Sequence, residues 1–134
     1  VTAGYSGTPL VRKLGIKAGH RVLLDEAPGG FVLDGLPDGV SVDHRAGPGP
    51  YDVVLAFTPD RAALERAVRA HQTRIERNGA IWVAWPKRAS GVPTDLTEDG
   101  VREVALPRGL VDVKVCAVDA VWSGLKLVIR RENR

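Results

Sequence analysis

The residues with the richest chemistry lie in Trp85-Pro86-Lys87-Arg88 and in Ser90, Thr94 and Asp95 just beyond. An indole offers a flat apolar wall. Lys87, Arg88, Ser90 and Thr94 offer donors to an anion, and a helix starting just after them presents unpaired N–H groups. This set suits a phosphate, a carboxylate or an acidic partner. A plain crossover loop whose threonine and aspartate cap a helix uses the same residue types. A second group is Asp25-Glu26-Ala27-Pro28-Gly29-Gly30, where an acid and two glycines follow an apolar run. Asp43 and Thr58 close two further apolar runs. In open α/β sheets ligands bind beyond the carboxyl ends of the strands, near the point where the strand order reverses. That rule selects Asp25, Gly29 and Gly30, then Asp43, then Thr58, and then the stretch from Trp85 to Asp95.

Several familiar chemistries are absent. There is no G-x-S-x-G elbow and no P-loop, and no His/Cys/carboxylate group has zinc-ligand spacing. No catalytic residue and no metal are therefore expected. His71 falls on the apolar stripe of a helix and reads as a core histidine; His20 and His44 stand alone in loops. The lone cysteine, Cys116, forms no internal disulfide and reads as a small packed hydrophobe, in keeping with a reducing cytoplasm. Ser6-Gly7 and Ser90-Gly91 read as turns.

The elements that must position these groups follow from apolar patterning. Thr8-Pro9 predicts the start of a short helix carrying Leu10, Val11 and Leu14, with Gly15 as its stop. Residues 21–25 and 51–57 are nearly continuous apolar runs, as expected of strands buried on both faces. Residues 40–43 predict a short strand between them, and residues 31–36 a short helix ended by Pro37-Asp38-Gly39. Thr58-Pro59-Asp60 predicts the next helix start, with threonine as cap. Leu64, Val68, His71 and Ile75 recur at helical spacing, and Asn78-Gly79 predicts the stop. A strand over 80–85 follows, with Trp82 in the core, and Asp95-Leu96-Thr97-Glu98 fits a capping box for a helix to about Leu106. Residues 110–118 and 125–131 predict two last strands, antiparallel because the link between them is too short for a crossover. Trp122 falls at their turn, where exposure would suit a partner surface.

The expected fold is α/β: a single Rossmann-like, mostly parallel sheet of about six strands with a C-terminal antiparallel hairpin. It makes one domain over residues 1–134, with 1–19 as an N-terminal extension carrying the short helix. The chain has 134 residues, 44% hydrophobic and 26% charged, which suits one globular core and argues against disorder. No apolar run reaches the roughly 18 residues of a membrane span. Val1-Thr2-Ala3-Gly4-Tyr5 has no basic stretch and no apolar stretch, so it does not read as a signal peptide. A net charge of +3, mostly from arginine, permits anion binding but is too small to imply nucleic acid.

Two resemblances add to this. Tyr51-Asp52-Val53-Val54-Leu55, one helix, and Gly79-Ala80-Ile81-Trp82-Val83, followed by the pair at Gly109-Leu110-Val111-Asp112-Val113 and Leu125-Lys126-Leu127-Val128-Ile129, resemble the class I S-adenosylmethionine-dependent methyltransferases. The resemblance is topological and covers about residues 20–131. In those enzymes a terminal antiparallel hairpin completes the sheet, the first strand ends in an acid followed by alternating glycines, and an acid closing the second strand binds ribose. Asp43 sits at the latter place. Asp25-Glu26-Ala27-Pro28-Gly29-Gly30 departs from the former, because Pro28 fixes the backbone and the G-x-G spacing is missing. Gly4-Tyr5-Ser6-Gly7-Thr8-Pro9-Leu10, Trp85-Pro86-Lys87, and Ser90-Gly91-Val92 with Thr94-Asp95-Leu96-Thr97-Glu98 resemble a family of small bacterial proteins of unknown function. The expected function is a non-catalytic Rossmann-like module that binds a small anionic ligand or a protein partner at the C-terminal edge of the sheet, without a cofactor. The alternatives are a methyltransferase-like enzyme using S-adenosylmethionine through an altered loop, and a weak nucleic-acid binder.

Overall fold

A computed structural model describes residues 7–134; Gly4, Tyr5 and Ser6 of the N-terminal motif lie outside the described residues. Six strands form one sheet in the order β2-β1-β3-β4-β6-β5. They are β1 (Arg21–Asp25), β2 (Ser41–Asp43), β3 (Tyr51–Phe57), β4 (Ile75–Pro86), β5 (Leu110–Ala117) and β6 (Trp122–Ile129). Strands β1 to β4 pair in parallel, and β6 lies antiparallel between β4 and β5. The mostly parallel α/β sheet with its closing hairpin is thus as the sequence predicts. The chain leaves β1 for β2 on one side and returns to β3 on the other, so the strand order reverses between β1 and β3.

Among the described residues three α-helices flank the sheet: α1 (Leu10–Lys13), α2 (Arg61–His71) and α3 (Glu98–Ala105). Alternating side chains of the buried strands feed two cores. One core joins Leu23, Val54, Ile81 and Leu125 to Leu64 and Val68 of α2 and Val101 of α3. The other joins Val22, Leu55, Phe57 and Trp82 to Val11 of α1 and to Leu14 at its C-cap, with Phe31 and Leu33 of the β1–β2 connection packed on it. The Trp82 indole donates to the Leu14 carbonyl at 3.1 Å, which pins the end of α1 to the sheet. Trp82 is therefore core, as expected.

Several local expectations are corrected. Residues 31–36 form no helix; apolar packing of Phe31 and Leu33 on the sheet holds them as an irregular segment. Helix α2 is capped by Asp60, which accepts from the Ala63 N–H at 2.9 Å, and not by Thr58. Helix α1 has Pro9 at its cap position and no side-chain cap. Helix α3 is capped by Thr97, which accepts from Gly100 at 3.0 Å. Ile75 belongs to β4 and not to α2. Between Tyr51↔Ile75 and Val53↔Ala80 the register slips, and Asn78-Gly79 sits in that irregular stretch. A Cβ at Gly79 would meet the Asp52 and Tyr51 carbonyls at 3.0 Å, so the glycine there serves close strand approach.

The return from β2 to β3 shapes the site. Strand β2 is only 3 residues long, so residues 44–50 suffice to reach the start of β3 and carry no helix. The Tyr51 hydroxyl closes this return. It accepts from the Gly47 N–H at 3.0 Å and donates to Asp43 Oδ2 at 2.6 Å. Arg21 Nη2 stands 3.4 Å from the same oxygen, and its guanidinium lies 4.8 Å over the tyrosine ring. Burial, and then the bond to Asp43, raise the Tyr51 hydroxyl above its ordinary pKa. Ala46 of this loop, the ends of β1 and β3 and the flank of α2 together line a crevice.

Candidate functional site

The crevice has a volume of about 680 Å³ and runs from the ends of β1 and β3 along the flank of α2. It lies at the reversal point, where ligands of open α/β sheets bind. Its size is that of small-molecule sites. Ala63, Ala67 and Ala70 recur along α2 and give it a low wall, while Phe57, Pro59 and Trp122 form an apolar rim. Trp122 is not a free turn residue. It begins β6 and packs edge-on against Phe57, centroids 5.1 Å apart, and Phe57 in turn meets Phe31 at 4.9 Å.

The polar groups of the crevice are few. Asp25 ends β1, and its Oδ2 lies 2.7 Å from His71 Nε2. His71 is 2% exposed, so it is the core histidine the helical pattern predicts, but one paired to a carboxylate. Its Nδ1 has no hydrogen-bond partner among the described residues. An unanswered buried polar atom costs about 1–3 kcal/mol, which makes this one a feature to explain. Arg66 and Arg74 also line the crevice, and neither enters an ion pair among the described residues. Glu26, with φ 58°, sits in the left-handed region at the mouth.

The sequence-predicted residues divide between places. Asp25 and Thr58 line the crevice. Thr58 is buried, and its hydroxyl donates to the Ala84 carbonyl at 2.8 Å, tying β3 to β4. Gly29 and Gly30 are exposed nearby, with no atom within 4 Å of an added Cβ at either position. Asp43 closes β2, but its Oδ2 is turned to Arg21 and Tyr51 at the starts of β1 and β3 and lies outside the crevice lining. The group from Trp85 to Asp95 forms a separate, smaller crevice of about 390 Å³, lined by Trp85, Arg88, Thr94 and Asp95 among others. Its hydroxyls and carboxylate are engaged by the protein. Ser90 donates to the Lys87 carbonyl at 2.6 Å, Thr94 donates to the Pro59 carbonyl at 2.7 Å, and Asp95 accepts from the Arg61 N–H at 2.8 Å. This loop thereby docks on the start of α2. Lys87 and Arg88 enter no ion pair among the described residues.

Sequence reasoning missed Arg66, Arg74 and the partnership of His71 with Asp25. A signal existed: a histidine on the buried stripe of a helix, next in the fold to a strand that ends in an acid. An exposed arginine on a helix and a half-buried one just beyond its end give no such signal until the fold shows a crevice beside them.

No protein-family model matches the chain, and no curated protein matches it. Solved structures do. A S-adenosylmethionine-dependent methyltransferase from Aquifex aeolicus superposes with a TM-score of 0.63 at 12% identity, over 90% of this chain and 88% of that one. The ribosomal protein L11 methylase of Lactobacillus delbrueckii subsp. bulgaricus gives 0.61 at 9% identity, over 91% and 76%. DhpI in complex with SAH gives 0.59 at 12% identity, over 91% and 82%. At such identities the likeness is one of fold, and it is the fold the sequence resembles. An adenosyl cofactor needs an acid for its ribose and a close backbone approach after the first strand. Here Asp43 is committed to Tyr51 and Arg21, Asp25 to His71, and Pro28 interrupts the loop. The loop after β1 thus departs from that pattern, while both contacts of Asp43 fall on one oxygen and its side chain stays 40% exposed.

Proposed function

We propose that the protein binds a small anionic molecule in the crevice between β1, β3 and α2, as a Rossmann-like binding module. The observation that carries this is the pair of guanidiniums, Arg66 and Arg74, that line the crevice without ion-pair partners. Guanidinium is the side chain best matched to phosphate and carboxylate. A protein partner would engage the same groups through a carboxylate side chain. The test is a thermal-shift screen with inorganic phosphate, citrate and nucleotides, repeated on the Arg66→Ala/Arg74→Ala double variant. A ligand at about 100 times its Kd stabilises the fold by about 2.7 kcal/mol. A shift in the native protein that the double variant loses supports the reading; equal shifts in both reject it.

A second reading is a methyltransferase-like enzyme that uses S-adenosylmethionine. The likeness of fold to the methyltransferases supports this second reading better than the first. The residues around Asp43 and Pro28 support the first. Adding S-adenosylmethionine and its demethylated product to the same screen separates them. Tighter binding of either than of the nucleotides would establish the second reading in place of the first.

A further inference from the structure

A further crevice, of about 220 Å³, lies where β1, β3 and β4 begin. Lys17, His20, Asp52, Asn78 and Lys126 supply the polar side chains of its lining. Lys126 of β6 stands directly opposite Lys114 of β5 in the ladder. Like charges placed so destabilise a strand pair. Lys17 adds a third positive charge close by. Burial, then the charges of Lys114 and Lys17, lower the Lys126 ammonium below its ordinary pKa. None of these lysines enters an ion pair among the described residues. The carboxylate of the lining, Asp52, accepts from the Arg21 backbone N–H at 2.8 Å. His20 is half-buried, and its Nδ1 accepts from the Lys17 backbone N–H at 3.1 Å. In the neutral ring the hydrogen is therefore on Nε2, which is a donor. The fold thus gathers three ammoniums and supplies no acid to neutralise them, and a bound anion would relieve their repulsion.

We propose that Lys17, Lys114 and Lys126, with His20, form a site for a small oxyanion of two or more negative charges, of the pyrophosphate class. A monoanion leaves net repulsion among three ammoniums. A group with several charged oxygens meets each of them, and lysine binds phosphate as a point charge. The volume is below that of sites that enclose a whole small organic ligand, so the anionic group alone enters. It comes either as the free ion or as the tail of a nucleotide. The lining shares no residue with the crevice along α2, so the proposal stands apart from the reading of that crevice.

The experiment titrates the whole chain at low ionic strength with pyrophosphate, adenosine 5′-triphosphate and acetate, and follows 15N amide shifts. Pyrophosphate should move the amides of Lys17, His20, Lys114 and Lys126, and acetate at the same concentration should leave them in place. Adenosine 5′-triphosphate moving the same set identifies the tail of a nucleotide; its failure beside a positive pyrophosphate result identifies the free ion. Lys126→Met keeps an unbranched apolar stem and removes the charge. It should weaken pyrophosphate by about tenfold, the loss of one charge-assisted contact. Its melting temperature without ligand should be no lower than that of the native chain, because a repelled charge has gone. A lysine that serves packing alone gives the reverse, a lower melting temperature with pyrophosphate affinity unchanged, and that result overturns the proposal. So does pyrophosphate that fails to bind the native chain at millimolar concentration, or that moves only amides around Arg66 and Arg74. Both of these are read on the native chain and do not depend on the variant folding.

Discussion

At the scale of single residues, the most informative contacts are those that remove groups from the list of possible ligands. The Tyr51 hydroxyl binds Asp43 at 2.6 Å and Gly47 at 3.0 Å, so one phenol fixes both the acid that closes β2 and the loop after it. Tyr51→Phe leaves Asp43 short of a donor and the Gly47 N–H without an acceptor. It should destabilise the fold by about 1.5–3 kcal/mol in urea unfolding, the range for a hydrogen bond to a charged group. Cys116 is a second case. Burial raises its thiol above the ordinary cysteine value, against the smaller opposing influence of Lys13 and Lys114. Its thiolate fraction at neutral pH is therefore small, and alkylation by iodoacetamide should run slower than for an exposed cysteine peptide. That agrees with the packed hydrophobe the strand pattern predicts. Asp43 shows what sequence cannot supply. Its position at a strand end was legible, but its partner is a tyrosine at the base of another strand, brought near only by the sheet.

At the scale of elements, apolar runs and caps were legible where a pattern is local. The strands around 21–25 and 51–57 are continuous apolar stretches, and the structure places both as read. Caps were found to within two residues. Thr58 was read for Asp60, and Asp95 for Thr97, because each helix is preceded by two capable side chains. The unchosen residue in each case makes a long-range bond instead, Thr58 to Ala84 and Asp95 to Arg61. Asp60→Ala and Thr97→Ala should each cost about 1 kcal/mol by chemical denaturation. The segment 31–36 forms no helix: Phe31 and Leu33 pack on the sheet while Val32 and Leu36 face solvent. Helix α3 also carries a pH response. Arg102 bonds to Asp112 of β5 at 2.9 Å and to Asp99 at 2.9 Å, and also pairs with Glu98. Its hydrogen bond holds the Asp112 carboxyl below its ordinary pKa. A depressed folded-state pKa stabilises above the unfolded-state value and loses that contribution as pH falls through the folded-state value. The native chain should therefore lose stability on acidification below about pH 4. Asp112→Asn should lose less over the same range, and thermal melts across pH 2–7 check the difference; parallel curves would refute it.

At the scale of the whole molecule, the sheet order β2-β1-β3-β4-β6-β5 sets a crevice where the chain changes direction, and the short return through residues 44–50 leaves that crevice open along α2. Gly49 is part of that return. Its φ is +79°, and an added Cβ would stand 2.6 Å from the Arg74 carbonyl. Gly49→Ala should thus destabilise by more than about 1 kcal/mol and disturb the Arg74 side of the crevice. The fold class and the reversal point were legible, because strand–helix alternation and the closing hairpin are patterns of the chain. The lining of the crevice was not, because Arg66 and His71 on α2 and Arg74 just after it meet Asp25 and Thr58 only once the sheet is assembled. The loop from Trp85 to Asp95 drew attention by composition, yet Ser90 bonds back to Lys87 within the loop, and Thr94 and Asp95 are turned toward the start of α2. On this reading an anionic ligand binds along α2. Mapping of 15N amide shifts during titration with adenosine 5′-monophosphate tests it most directly. The largest changes should fall at Asp25, Glu26, Thr58, Arg66, His71 and Arg74. Changes confined to Lys87, Arg88 and the residues up to Asp95, or centred on Asp43 and Gly29, would contradict it.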